Sequence, residues 1–155
     1  MMIKLRVGNV YLEVDKINGR QFSAMVVVID DMGRVLLLHR LDKPEVKFSN
    51  QWGFPGGGSN ANEDPLQTAI RETYEETGLR IDPGNLNLLY KKRTGGKNVY
   101  FFACNVYSGK VDPEKVKQEH QNFAWVDPDK LDMYYITDDS EYTIRKAFGE
   151  NELLL

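Results

Sequence analysis

Cysteine is almost absent. A single Cys104 in 155 residues excludes an intramolecular disulfide and suits a reducing compartment, so a cytoplasmic location is expected. Long apolar runs are missing too. The longest, residues 24–29 and 35–38, fall far short of the roughly 20 residues that span a bilayer. The first residues alternate and carry charges, unlike a secretory signal, and no membrane partner is expected. Positive charge is not in excess: 20 Lys and Arg face 23 Asp and Glu, for a net charge of -3. A binder that grips nucleic acid through a broad basic surface is therefore disfavoured, although a local phosphate site is not. The two histidines, His39 and His120, have no zinc-type spacing to each other or to Cys104. Repeats, low-complexity tracts and Pro/Gly linkers are lacking, so residues 1–155 read as one domain. That length needs neither disulfides nor a structural metal for stability.

What remains is alternation around one strong helix. Ile3, Leu5 and Val7, then Val10, Leu12 and Val14, alternate across Gly8-Asn9 as a β-hairpin. This hairpin, within residues 1–20, is extra to the core pattern and is expected to serve dimerisation or to shape a pocket. A strand is predicted over 22–29, where Val26-Val27-Val28-Ile29 calls for burial on both faces. Asp30-Asp31-Met32-Gly33 turns the chain into a strand over 34–40. Residues 42–50 read as a loop and 51–54 as a short extended piece. Gly56-Gly57-Gly58 is expected to forbid regular structure. A second hairpin surrounds Gly95-Gly96, a short strand covers 122–126, and a helix covers about 140–148.

The main helix is predicted over about 64–77. Asp64 is a good N-cap, Pro65 suits the first turn, Gln67 completes a capping box and Gly78 follows as the terminating glycine. Leu66, Ala69, Ile70, Thr73 and Thr77 share one face. Glu72, Glu75 and Glu76 cluster on a flank, where they repel one another and oppose the helix dipole. A solvated acidic face is one explanation. A site for a hard divalent cation is the other, because converging carboxylates are what Mg²⁺ or Mn²⁺ requires. From Glu63 to Glu76 the net charge is -4, which leaves +1 for the rest of the chain. Three glycines just upstream let backbone come close to a ligand, although they do not form a phosphate-binding P-loop.

The spacing Gly57, five residues, Glu63, seven residues, Arg71-Glu72-Thr73-Tyr74-Glu75-Glu76-Thr77-Gly78-Leu79 resembles the 23-residue box of the Nudix (MutT-like) hydrolase family. Trp52-Gly53-Phe54-Pro55-Gly56-Gly57 before it, and Glu119-His120 with Trp125-Val126 after it, are similar to flanking segments of that family. The resemblance covers residues 22–131. Thr73 departs from the aliphatic residue the box prefers, and it fits if its hydroxyl bonds to a carbonyl. Asn60 and Asn62 also depart, and Asn62 suits a left-handed turn.

The resemblance implies an α/β (α+β) fold, an α/β/α sandwich around a central mixed sheet. It implies Mg²⁺-dependent cleavage of a pyrophosphate bond in a nucleoside diphosphate linked to another moiety, with Mn²⁺ as a substitute ion. By position, Glu72, Glu75, Glu76 and the Gly57 carbonyl would hold the ion. Arg71 would orient the carboxylates, Glu63 would anchor the loop, and Gly78 would close the helix. The base that deprotonates water is left open between Glu119 and Glu75. Glu119 could equally be a peripheral ligand or a surface residue. A nucleoside triphosphate or nucleotide sugar is the expected substrate, since signatures of other branches are not found. An RNA 5′ end is disfavoured by the charge. The alternative from another class is a nucleotide-binding sensor that does not hydrolyse.

Outside the box, Arg40 could grip a phosphate or form a surface ion pair. Trp52 could stack on a base or pack beneath the glycine loop. Lys91, Lys92, Arg93 and Lys97 read as an edge strand's solvated cations or as a phosphate-steering patch. Cys104 reads as a buried core thiol.

Overall fold

The computed structural model describes residues 22–149, and the backbone alone of residues 2–7 and 10–15. Strands β1 (Met2–Val7) and β2 (Val10–Asp15) pair antiparallel, with Val7 opposite Val10. The two residues between them lie outside the described residues.

β3 (Phe22–Val28) is flanked by β6 (Gly56–Gly58) and β8 (Lys97–Cys104), and β7 (Asn87–Thr94) closes the outer edge of this four-stranded sheet. β3 runs parallel to β8 and antiparallel to β6, so the sheet is mixed. β4 (Val35–Arg40) lies in a second sheet, between β5 (Trp52–Gly53) and β9 (His120–Val126). The turn after β3 thus hands the chain from one sheet to the other, and only an Ile29–Val35 bridge joins the two strands there.

Alternation along β3 and β4 makes two cores. Phe22, Ala24, Val26, Val28, Leu36 and Leu38 pack with Ala69 and Leu79 of the main helix region. Val27, Val35 and Leu37 pack on the opposite side with Phe54, Leu131 and Ile144. Val26, Val27 and Val28 are all fully buried, as a strand between two helical layers demands. Each such side chain contributes about 1.5–3 kcal/mol by leaving water. The helices on the two faces are α1 (Pro65–Thr77) and α3 (Asp138–Ala147). α3 begins two residues before the expected 140, because the Thr137 hydroxyl caps it by accepting from the Ser140 N–H. A short helix α2 (Pro113–Val116) was not expected, although Asp112-Pro113 carries the same cap signal as Asp64-Pro65. The basic run lies on the edge strand β7 and its turn into β8. Lys92 pairs there with Asp139 of α3, and Arg93 donates to the Gly96 carbonyl.

Gly56, Gly57 and Gly58 form β6, against the expectation of irregular chain. Gly56 sits at φ +152°, and a Cβ there would come within 2.3 Å of the Ala24 carbonyl oxygen. The absence of side chains therefore permits this pairing. Glycine is poor in a strand on average, but it is what close backbone approach requires.

Thr73 corrects another expectation. Its side chain is fully buried and its hydroxyl has no hydrogen-bond partner. Thr77 makes the back-bond instead, donating to the Thr73 carbonyl at 2.6 Å. Thr73→Val should therefore raise stability by about 1 kcal/mol, by removing an unpaired hydroxyl. Thermal melting should show a rise of about 2–4 °C; a fall would mean that the hydroxyl is paired in solution.

Candidate metal centre and active site

α1 begins and ends as its caps dictate. The Asp64 carboxylate accepts from the Gln67 N–H while Gln67 Oε1 accepts from the Asp64 N–H, and Gly78 closes the helix at φ +83°. Asn62 adopts φ +65° in the approach to the helix, which Asn tolerates. These ends fix which residues face β6.

Glu76 is the main surprise. The helical spacing places it on a flank, yet it is 6% exposed, and its Oε1 accepts a 2.9 Å hydrogen bond from the Gly56 N–H. β6 lies close enough to α1 to cover it. Glu72 meets the same strand: a Cβ on Gly57 would stand 2.7–2.8 Å from its carboxyl atoms. Gly57 therefore leaves the Glu72 carboxylate directly against bare backbone.

Arg71 organises the rest. Its Nε and one terminal nitrogen donate to the two oxygens of Glu63, at 2.7 and 3.0 Å. That nitrogen also donates to the Gly58 carbonyl, at 2.9 Å, and the other reaches Glu72 at 3.0 Å and Glu75 at 3.2 Å. Glu63 in turn accepts from the Asn60 N–H and the Thr68 hydroxyl, which ties the loop to the helix.

Protonation follows from burial set against these partners. Partial burial would raise the Glu63 carboxyl, but hydrogen bonds from Arg71, Asn60 and Thr68 outweigh it and hold it below the usual range. The bonds that Arg71 donates to Glu63 and Glu72 push its guanidinium further up. Burial raises Glu72, against the pull of Arg71, and neighbouring Glu75 and Glu119 add to the rise. Burial pushes Glu76 up to about 8, with Glu72 and Glu119 adding to it and the Gly56 N–H and Arg40 opposing.

Glu119 and Arg40 thus share the electrostatic field of the box carboxylates. The chain brings them there through α2. The Asp112 N–H donates to the Thr77 carbonyl, α2 follows, and β9 then begins at His120, opposite Arg40 of β4. Glu119 is exposed at the end of this turn. His120 is 7% exposed, its Nε2 lies 3.5 Å from Glu76 Oε2, and its Nδ1 has no partner. Burial, with Arg40 and His39 nearby, pulls His120 down to about 4. No sequence signal marked this histidine beyond its place after Glu119.

Trp52 stacks face to face on His39, its cross-strand partner, at 4.4 Å and 5°, and Tyr134 meets its edge. Packing therefore occupies one face of its ring. Cys104 is buried, and burial raises its thiol, as an inert core cysteine requires.

A profile of the NUDIX domain family matches residues 19–147. The chain belongs to the Nudix hydrolase family. A MutT-like protein of Streptomyces ambofaciens is 31% identical to this Nudix chain over 109 residues, which cover 70% of this chain and 65% of that protein. The chain thus spans slightly less than two thirds of that relative. An RNA pyrophosphohydrolase of Bartonella quintana is 28% identical over 150 residues, covering 81% of the Nudix chain and 86% of the relative. Among solved structures, a MutT from work on Aliivibrio salmonicida and Vibrio cholerae superposes with a TM-score of 0.69 at 18% identity, covering 84% of this chain and 98% of that one. At that identity the likeness concerns the fold. None of the helices among the described residues is long and apolar enough to cross a membrane.

The Nudix carboxylates fit a hard cation in donor chemistry. Glu72, Glu75 and Glu76 supply carboxylate oxygens on one side of α1, and Gly57 leaves its backbone open against Glu72. Among the described residues no group of three or more His, Cys, Asp and Glu side chains is placed so as to hold a metal ion. Arg71 draws the Glu72 and Glu75 carboxylates to itself.

Proposed function

We propose that the protein is a Mg²⁺-dependent hydrolase of a pyrophosphate bond in a small nucleotide, a nucleoside triphosphate or a nucleotide sugar. The observation that carries this reading is the buried Glu76 carboxylate, held by Gly56 beside Glu72 and within the field of Glu119. A fold has little reason to bury a carboxylate among like charges unless a cation offsets them. Glu72, Glu75, Glu76 and the Gly57 carbonyl would hold Mg²⁺, with Mn²⁺ as a substitute. When bound, the ion supplies positive charge to the phosphoryl oxygens and acidifies water.

The chain's own groups do the remainder. Arg71 keeps Glu72 and Glu75 aimed at one point. The exposed Glu75 carboxylate, steadied through Oε2, accepts the proton of the attacking water, and Glu119 is the other candidate for that task. Arg40 grips a substrate phosphate with its planar fork. The single buried Cys104 suits a reducing compartment, the cytoplasm. The β1–β2 hairpin is the element assigned to self-association, and a monomer in sedimentation at high concentration would exclude that role.

The test is release of phosphate or pyrophosphate across nucleoside triphosphates, nucleotide sugars and 5′-triphosphate RNA, with Mg²⁺ and with EDTA. Turnover of a small nucleotide, lost in EDTA, is the expected result. Preference for the RNA end is the second reading, favoured by the similarity to RNA pyrophosphohydrolases. Tight binding without turnover by any substrate would sink the hydrolase reading in favour of a sensor.

A further inference from the structure

The loop between β4 and β5 holds an aromatic ring where packing alone does not call for one. Phe48 is 50% exposed, and its backbone lies at φ +55°, a region bulky residues seldom enter. The loop is not loose. Ser49 Oγ accepts from the Lys43 N–H and donates to the Leu41 carbonyl, and the Asn50 N–H donates to that same carbonyl. Asn50 Oδ1 meets His39 Nε2 at 2.9 Å, which fastens the loop to β4. The strained backbone is thus held in place by its surroundings and presents the ring outward.

The position of the ring is informative. The Arg40 guanidinium stands 5.9 Å from the ring centroid, and Arg40 also acts on Glu76. Arg40 lies opposite His120, whose Nε2 stands 3.5 Å from Glu76 Oε2, so Phe48 flanks the carboxylate centre on the side where Arg40 is assigned a phosphate. Lys47 stands 5.1 Å from the ring, but it is exposed and free to turn aside. Both cations lie over the ring within the roughly 6 Å of a cation–π contact, so a base that stacks there displaces the exposed Lys47 side chain. Asp42 and Glu45 balance Lys43 and Lys47 within the loop, so what it offers a ligand is a flat apolar face, with little net charge. Trp52, the other aromatic near this end of β4, already has one face on His39.

We infer that Phe48 is the stacking surface for the nucleobase of the substrate, placed so that Arg40 meets the phosphates of the same molecule. This inference rests on the proposed reading of the site as a nucleotide hydrolase. Stacking on a single ring tolerates any base, because every base has a π-face. The subsite therefore selects for the presence of a base and discriminates weakly among bases.

Phe48→Gly is the decisive variant, since glycine keeps the left-handed backbone without strain and removes only the ring. The full chain with Mg²⁺ is assayed on the four ribonucleoside triphosphates and on inorganic triphosphate, a probe without a base. The ratio of kcat/KM for nucleoside triphosphate over inorganic triphosphate should fall about tenfold in Phe48→Gly and be retained in Phe48→Trp. An unchanged ratio in Phe48→Gly overturns the inference. If the wild type hydrolyses neither probe, the nucleoside triphosphate reading fails, and calorimetric binding of ADP against pyrophosphate decides the subsite separately. ADP binding that weakens about tenfold relative to pyrophosphate supports it; parallel behaviour of the two probes overturns it.

Discussion

Glu75→Gln should lower turnover by about 10²–10⁴-fold while the protein melts as the wild type does. The two halves of this result come from one observation. Glu75 is the most exposed of the three box glutamates, with 56% of its side chain open to solvent, so the fold does not rely on it. Exposed substitutions of this kind usually change stability by no more than about 0.5 kcal/mol. Its Oε2 nevertheless accepts from Arg71, so the carboxylate is held in a defined direction. Glutamine keeps the size and one oxygen for Arg71, but it can neither take a proton from water nor bring a negative charge to a cation. Retained turnover would remove Glu75 from the mechanism and pass the role of base to Glu119. A large fall in melting temperature would instead show Glu75 to be structural. Steady-state kinetics and thermal melting on the same preparation separate these outcomes.

Glu76→Gln should produce a stabler but inactive protein. The ordinary carboxyl value is 4.5, and burial raises Glu76 to about 8. A raised acid favours the folded state fully below its unfolded value and loses that contribution as pH climbs towards the folded value. Relative to the variant, metal-free wild type should therefore lose stability from about pH 4.5 to pH 8, on the order of 5 kcal/mol in all. Glutamine can still accept from the Gly56 N–H and has no proton to lose, so the variant should lack this loss and keep only the rise below about pH 6.5 that the lowered His120 gives to both proteins. Adding Mg²⁺ should stabilise the wild type more at pH 8 than at pH 5, because binding needs the carboxylate deprotonated. The variant should show no such gain. Denaturant melts in EDTA and in Mg²⁺ at the two pH values would show all of this. Equal slopes for the two proteins in EDTA would mean that the Glu76 carboxyl is hydrated and ordinary.

These predictions rest on features that the sequence showed unequally. The caps of α1 were readable because Asp64, Pro65, Gln67 and Gly78 act on backbone groups within a few residues of themselves. The register of Gly57, Glu63, Arg71, Glu72, Glu75 and Glu76 was readable for the same reason, and it carried the family with it. The burial of Glu76 was not, because its cover comes from Gly56, twenty residues earlier and on another element. Periodicity gives the direction of a side chain from its own helix axis and is silent on what lies opposite. The strand β6 was hidden by glycine's usual aversion to strands, which yields where a Cβ would strike Ala24. The division of β3 and β4 between two sheets was likewise invisible, since both strands alternate as one sheet would require. Phe48 lies inside a polar stretch, where periodicity gives it no role. A lone aromatic among Lys, Glu, Ser and Asn was the available signal.

The glycine strand has one more consequence. Because β6 and α1 are regular elements joined through side-chain-free backbone, the carboxylate centre has almost no room for variation. A methyl group at Gly56 would strike the Ala24 carbonyl, and one at Gly57 would push the Glu72 carboxylate aside. The segment carrying Phe48 is less constrained, for it meets the sheet through side chains, Asn50 on His39 and Phe48 beside Arg40. On the proposed reading, cleavage and base stacking therefore occupy parts of the chain with different tolerance to change. On the proposed reading, a change of the ring at position 48 alters the hold on the base while the carboxylates stay as they are.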